Sequence, residues 1–152
     1  MDPFADSFRR LGRAEKQLYS LRDEMQKWLN RKGYTFSIRR NAKTGQYVAK
    51  IGEIQAIPED WAITATEVVH HLRAALDNAI HHLSIAHSGQ AIKGSEFPVF
   101  QNKKLFGDQG KRKIRGVSPA CQAIIEAAQP FQYHAPDDHK LWVLHELSNS
   151  EK

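Results

Sequence analysis

Only one cysteine, Cys121, occurs in the 152 residues, so neither a disulfide framework within the chain nor a cysteine-rich zinc site organises it. That usage fits a reducing compartment. No uninterrupted apolar run approaches the roughly 20 residues that a membrane-spanning helix needs. The opening Met1-Asp2-Pro3-Phe4 lacks the basic-then-apolar layout of a signal peptide. The expectation is a cytoplasmic protein with no membrane association. Nucleophile elbows, phosphate-binding glycine loops and dinucleotide fingerprints are missing, and nothing calls for a cofactor. Internal repeats and low-complexity linkers are missing too. What is present, 41% hydrophobic and 26% charged residues, suits one domain over residues 1–152, large enough to fold without metal.

The net charge of +5 is unevenly placed. Residues 1–50 hold 12 Lys and Arg against 5 Asp and Glu, residues 51–100 hold 2 against 6, and residues 101–152 hold 8 against 6. Two basic groups stand out: Arg39, Arg40 and Lys43, and a second knot at Lys111, Arg112, Lys113 and Arg115. A polyanion suits such a distribution, either RNA or an acidic protein surface. Between Lys50 and Lys93, Arg73 is the only Lys or Arg.

Hydrophobic spacing predicts a mainly α fold. Asp2 and Pro3 start a first helix over 3–32, whose apolar positions from Phe4 to Leu29 recur at three and four and which Gly33 ends. Alternation around an Asn41–Gly45 turn predicts a β-hairpin over 34–52. A second long helix follows over 58–87, with Ala65, Val68, Val69, Leu72, Leu76, Ala79, Ile80 and Leu83 on its apolar face. Glu67, His70, Arg73, Asp77, His81 and Ser84 occupy the opposite face, with His71, Asn78 and His82 along its flank. The two long helices are expected to pair antiparallel, with the hairpin inserted between them. Gly89, Gly94, Gly107, Gly110 and Gly116 break any period over 89–117, which reads as a loop anchored by Phe97-Pro98-Val99-Phe100. Ser118-Pro119 starts a short helix over 119–128, and a last one spans 138–150.

Five of the eight histidines lie on the second long helix: His70, His71, His81, His82 and His87. Asp77 and His81 have the i, i+4 spacing of a helical metal pair. A complete metal site would draw further ligands from His134, Asp137, Asp138, His139 and His145, and a solvated or helix-pairing polar stripe is preferred to it, so no metal is expected. A metal-free alternative is RNA cleavage: an arginine holds the scissile phosphate while an imidazole moves the ribose 2′-hydroxyl proton. Arg73 and His81 of one chain are ~12 Å apart along the helix, so the site would be composite. Arg73 of one subunit would meet His81 or Asn78 of another, with Glu67 orienting the arginine. On the hairpin, Tyr34 and Tyr47 beside Arg39 and Arg40 combine the aromatic and basic character of single-strand binders.

The run His71-Leu72-Arg73-Ala74-Ala75-Leu76-Asp77-Asn78 resembles a helix found in a group of uncharacterised bacterial and phage proteins. Pro58, Asp60 and Trp61, then Phe97–Phe100, then Ile125, Gln129, Pro130 and Phe131, and finally Leu144, Leu147, Ser148, Asn149, Glu151 and Lys152 extend that resemblance over residues 58–152. In that group the helix carries Arg, four residues, then His, which is similar to the signature of the HEPN superfamily of helical, dimeric, metal-independent ribonucleases acting as toxins or in antiviral defence. The resemblance matches Arg73 to the arginine, and Asn78 stands at the histidine position. The reading is a homodimeric module that binds nucleic acid or an acidic partner, or acts as a scaffold. The alternative is an endoribonuclease whose site draws on Arg73, Asp77, Asn78, His81 and Glu67 across the dimer.

Overall fold

The first helix starts where Asp2 caps it, with its Oδ1 accepting the Phe4 N–H at 2.9 Å. In the computed structural model, which describes residues 2–31 and 34–150, α1 spans Ala5–Asn30. The glycine stop expected at Gly33 lies outside the described residues. β1 (Tyr34–Arg40) and β2 (Tyr47–Ile54) form an antiparallel hairpin, and α2 spans Asp60–Ser88. α5 (Pro119–Ala127) is capped by Ser118, whose side chain accepts the Cys121 N–H. α6 covers Lys140–Asn149. The chain is mainly α with one inserted β-hairpin among the described residues, as the sequence pattern predicts.

Within the 89–117 segment, residues 103–113 depart from the expected loop. Asn102 accepts the Lys104 and Leu105 N–H groups and starts a continuous helical run: α3 (Lys103–Leu105), a π-helical turn (Phe106–Gly110) and α4 (Lys111–Lys113). Gly89 and Gly94 break the chain as expected, with positive φ of 76° and 78°, whereas Gly110 and Gly116 serve packing. A Cβ on Gly110 would stand 2.7 Å from the Phe106 ring, and one on Gly116 would stand 2.5 Å from Ile92 and 3.2 Å from Ser84.

By backbone packing the chain divides into two compact units, Met1–Glu15 with Thr66–Lys152, and Lys16–Ala65. In the first unit, Ile80, Phe106, Ile114, Val117 and Ile125 form the core, with Leu83, Phe97, Phe100, Cys121 and Phe131 packed around it. Three of those five core residues come from the segment expected to be loop. α2 is covered on two sides. Val68 and Ala75, seven apart, are buried along one; Ile80 and Ser84 are buried along the other, which includes Arg73 and Asp77. Ser84, expected on the solvent face, is fully buried because Gly116 closes over it. The start of α1 runs antiparallel to α2 in this unit, with the Phe4 ring edge-on to His82 and Asp6 bonded to Asn78.

In the second unit the hairpin is exposed along every residue of both strands. Asn41 shapes its turn by accepting the Lys43 and Thr44 N–H groups, and Gly45 takes the positive φ of 73° that the return requires. Elsewhere in this unit Trp61 Nε1 donates to Glu24 Oε2 at 3.2 Å and packs edge-on against Trp28. Among the described residues no helix is long and apolar enough to cross a membrane.

Candidate functional site

Arg73 and Asp77, one helical turn apart, act as a clamp. Arg73 Nε donates to Asp77 Oδ2 at 3.2 Å, and Arg73 Nη2 lies 3.0 Å from Asp77 Oδ1. Together they hold both backbone groups of Phe97: Arg73 Nη2 donates to its carbonyl at 2.7 Å, and Asp77 Oδ1 accepts its N–H at 2.8 Å. Gln129 performs the same task three residues on. Its Oε1 accepts the Phe100 N–H at 3.0 Å and its Nε2 donates to the Pro98 carbonyl at 2.8 Å. The Phe97–Phe100 anchor is thus fastened at both ends, and the separate motifs around Arg73, Phe97 and Gln129 meet in one place.

Beside this clamp lies a cleft of about 410 Å³. Val69, His70, Arg73 and Asp77 of α2 form one wall, Glu96 and Lys113 another, and His145, Ser148 and Asn149 of α6 the third. Lys113 pairs with Glu96 and stands over the Phe100 ring. On α6 the spacing of His145, Ser148 and Asn149 places all three on one face. His145 Nε2 and Asn149 Nδ2 are 3.0 Å apart, a side-chain contact along one face of α6. Burial first, then the positive charges of Arg73 and Lys113, hold the imidazole below its ordinary range, against the opposing charges of Glu146 and Glu96.

Below the ordinary value of 6.5 the unfolded chain takes a proton that folded His145 refuses. Its contribution is complete above that value and is lost as the pH falls from there toward the lower folded value. In His145→Gln, urea unfolding measured between pH 7.5 and 5.5 should lose less stability on acidification than the parent does. An equal or steeper loss would contradict the placement of this ring.

The other residues expected at a composite site are spread apart within the chain. Asn78 Nδ2 donates to Asp6 Oδ2 at 2.8 Å, and Asp6 in turn accepts from Arg10 at 3.1 Å and Arg9 at 3.3 Å. The Arg10 hydrogen bond, partly opposed by desolvation, keeps Asp6 below the usual carboxylate range. His81 and Glu67 are exposed and do not line the cleft. The basic knot also divides: Lys113 turns into the cleft, Lys111 approaches Glu126 at 3.8 Å, and Arg112 and Arg115 are exposed. Among the described residues no three His, Cys, Asp or Glu side chains group as a metal site.

The hairpin keeps its expected candidates together. Across the strands Arg40 pairs with Tyr47, Ile38 with Ala49 and Phe36 with Ile51, so these six share one face with Tyr34 beyond a bulge. Arg39 lies on the opposite face, as does Lys50 opposite Ser37. Lys43 projects from the turn, where it is exposed. Sequence reasoning singles out Tyr34 and Tyr47 and passes over Phe36, whose alternation with them is the available signal. It also treats His145 only as a supplementary metal ligand. No family model, curated protein or solved structure matches the chain.

Proposed function

We propose that the protein is a nucleic-acid-binding module that holds single strands on its open β-hairpin. One observation carries the reading: Tyr34, Phe36 and Tyr47 are 44%, 61% and 74% exposed on one hairpin face, with Arg40 directly across from Tyr47. Aromatic rings of this kind stack on bases of any identity, and the surrounding cations track the backbone phosphates. Arg40 on that face and Lys43 at the turn supply those cations, Arg39 and Lys50 add charge from the opposite face of the ribbon, and Glu53 is the hairpin's single carboxylate. Residues 16–65 hold nine Lys and Arg against five Asp and Glu, so two copies of this unit repel each other where a polyanion is attracted. This reading is preferred to the endoribonuclease because Arg73 is engaged by Asp77 and Phe97 and Asn78 by Asp6.

Fluorescence anisotropy of a labelled single-stranded oligonucleotide tests it. Replacing Arg40 and Lys43 together by Gln should flatten the slope of log affinity against log salt by roughly 1.4, about 0.7 for each phosphate that is no longer neutralised. Tyr47→Ala should weaken binding by about 1–3 kcal/mol for the base that stacks there. Unchanged affinity and slope in both variants would reject the reading. Binding of an acidic polypeptide but no oligonucleotide would assign the same surface to an acidic protein partner instead.

A further inference from the structure

A pocket of about 260 Å³ in the second unit combines tryptophan rings with unengaged positive charge. Glu24, Lys27, Trp28 and Arg31 follow one another at spacings of three and four along α1 and its last turn, which sets them on one helical face. Trp61, at the start of α2, meets Trp28 edge-on with ring centroids 5.9 Å apart, and both residues are half-buried. The Trp61 Nε1 donates to Glu24 Oε2 at 3.2 Å, while Glu24 Oε1 accepts the Ser20 hydroxyl at 3.3 Å. The carboxylate is therefore engaged in holding the rings. Lys27 and Arg31 are exposed, and neither side chain has an ion-pair or hydrogen-bond partner among the described residues. The Gln55 amide, one residue past β2, is equally unengaged.

Accessible cations beside fixed aromatic rings suit a nucleotide, whose base stacks on a ring and whose phosphate meets guanidinium or ammonium. We infer that this pocket takes one nucleotide of the strand that the hairpin binds, with its base against the Trp28 and Trp61 rings and its phosphate on Lys27 and Arg31. The inference rests on the hairpin reading for the strand and adds the path of that strand at the hairpin root. Gln55 makes the link, because it follows Ile54, which pairs with Tyr34 at the open end of the ribbon. Its amide can both donate to and accept from a base edge.

Size and charge narrow the ligand. Small-molecule pockets begin at about 300 Å³, so a volume of about 260 Å³ suits one base rather than several. Two cations against Glu24 leave one positive charge, which matches a phosphodiester. Arg31 lies seven residues beyond Glu24, about 10 Å along the helix, so the phosphate is drawn to the arginine end and away from the carboxylate.

The indole N–H signals of the intact protein, from Trp28, Trp61 and Trp142, test this in nitrogen-proton correlation spectra. Titration with single-stranded decathymidylate should move the Trp28 and Trp61 signals and leave Trp142, which belongs to the other unit, in place. Lys27→Gln combined with Arg31→Gln should weaken binding about tenfold and flatten the salt slope by about 0.7, the share of one phosphate. Trp28 and Trp61 signals that stay still at saturation while the amides of 34–54 shift would overturn the inference and leave the hairpin reading standing. Unchanged affinity and slope in the folded double variant would overturn it as well. Movement of the two indole signals with 34–54 unperturbed would instead reject the hairpin reading and support the pocket. No binding at all would reject both.

Discussion

Gln129→Ala should lower stability by about 4 kcal/mol and the melting temperature by about 10 °C, the larger of two expected losses. Gln129 is fully buried, and its amide serves three backbone groups: the Phe100 N–H, the Pro98 carbonyl and, at 3.1 Å, the Ile125 carbonyl. Truncation leaves the first two without this partner and opens a cavity beside Pro98 and Pro130, which are also fully buried. Each orphaned group costs about 1–3 kcal/mol. Gln129→Met separates the contributions, because it fills the space and makes neither bond. It should recover only the cavity share. Urea denaturation followed by circular dichroism measures both variants, and a loss under about 1 kcal/mol in Gln129→Ala would mean the anchor is held by its aromatic rings and the Arg73–Asp77 clamp without Gln129.

The second large effect belongs to Asp77→Ala, expected at about 3 kcal/mol. Removing the carboxylate takes away the acceptor for the Phe97 N–H and leaves the mostly buried Arg73 without its counter-charge. The greater part of that cost comes from the stranded cation. Combining it with Arg73→Met removes the cation too, and the double variant should be more stable than the sum of the two single losses predicts, by about 1.5 kcal/mol or more. Additive losses would show that the two residues hold Phe97 independently. The cycle also bears on why an arginine sits alone among the histidines of α2: in this fold its first task is to fasten a distant backbone segment.

Long elements with a single strong period are legible from the sequence. The spacing of α1 and α2, the Asn41–Gly45 turn and the Ser118-Pro119 start all carry local signals that packing leaves unchanged. The 103–113 run is not legible, because Gly107 and Gly110 read as breakers. Gly110 is there to let the Phe106 and Phe100 rings approach the backbone, a requirement that only tertiary structure reveals. Asn102 is a usable cap signal in front of it. The apolar face of α2 reads as its buried side, yet Arg73, Asp77 and Ser84 also face protein, since polar side chains bind the Phe97 backbone and a small one admits Gly116. The cleft itself joins α2 to His145 about seventy residues later, a proximity no local spacing encodes. The hairpin candidates are legible because alternation alone assigns strand faces.

The hairpin reading is tested most directly by amide chemical-shift mapping during titration with a single-stranded oligonucleotide. The perturbed amides should cluster on β1, β2 and the Asn41–Gly45 turn, centred on Phe36, Arg40 and Tyr47, and the effect should fade with added salt. Saturating oligonucleotide that leaves 34–54 unperturbed, or shifts confined to other parts of the chain, would contradict it.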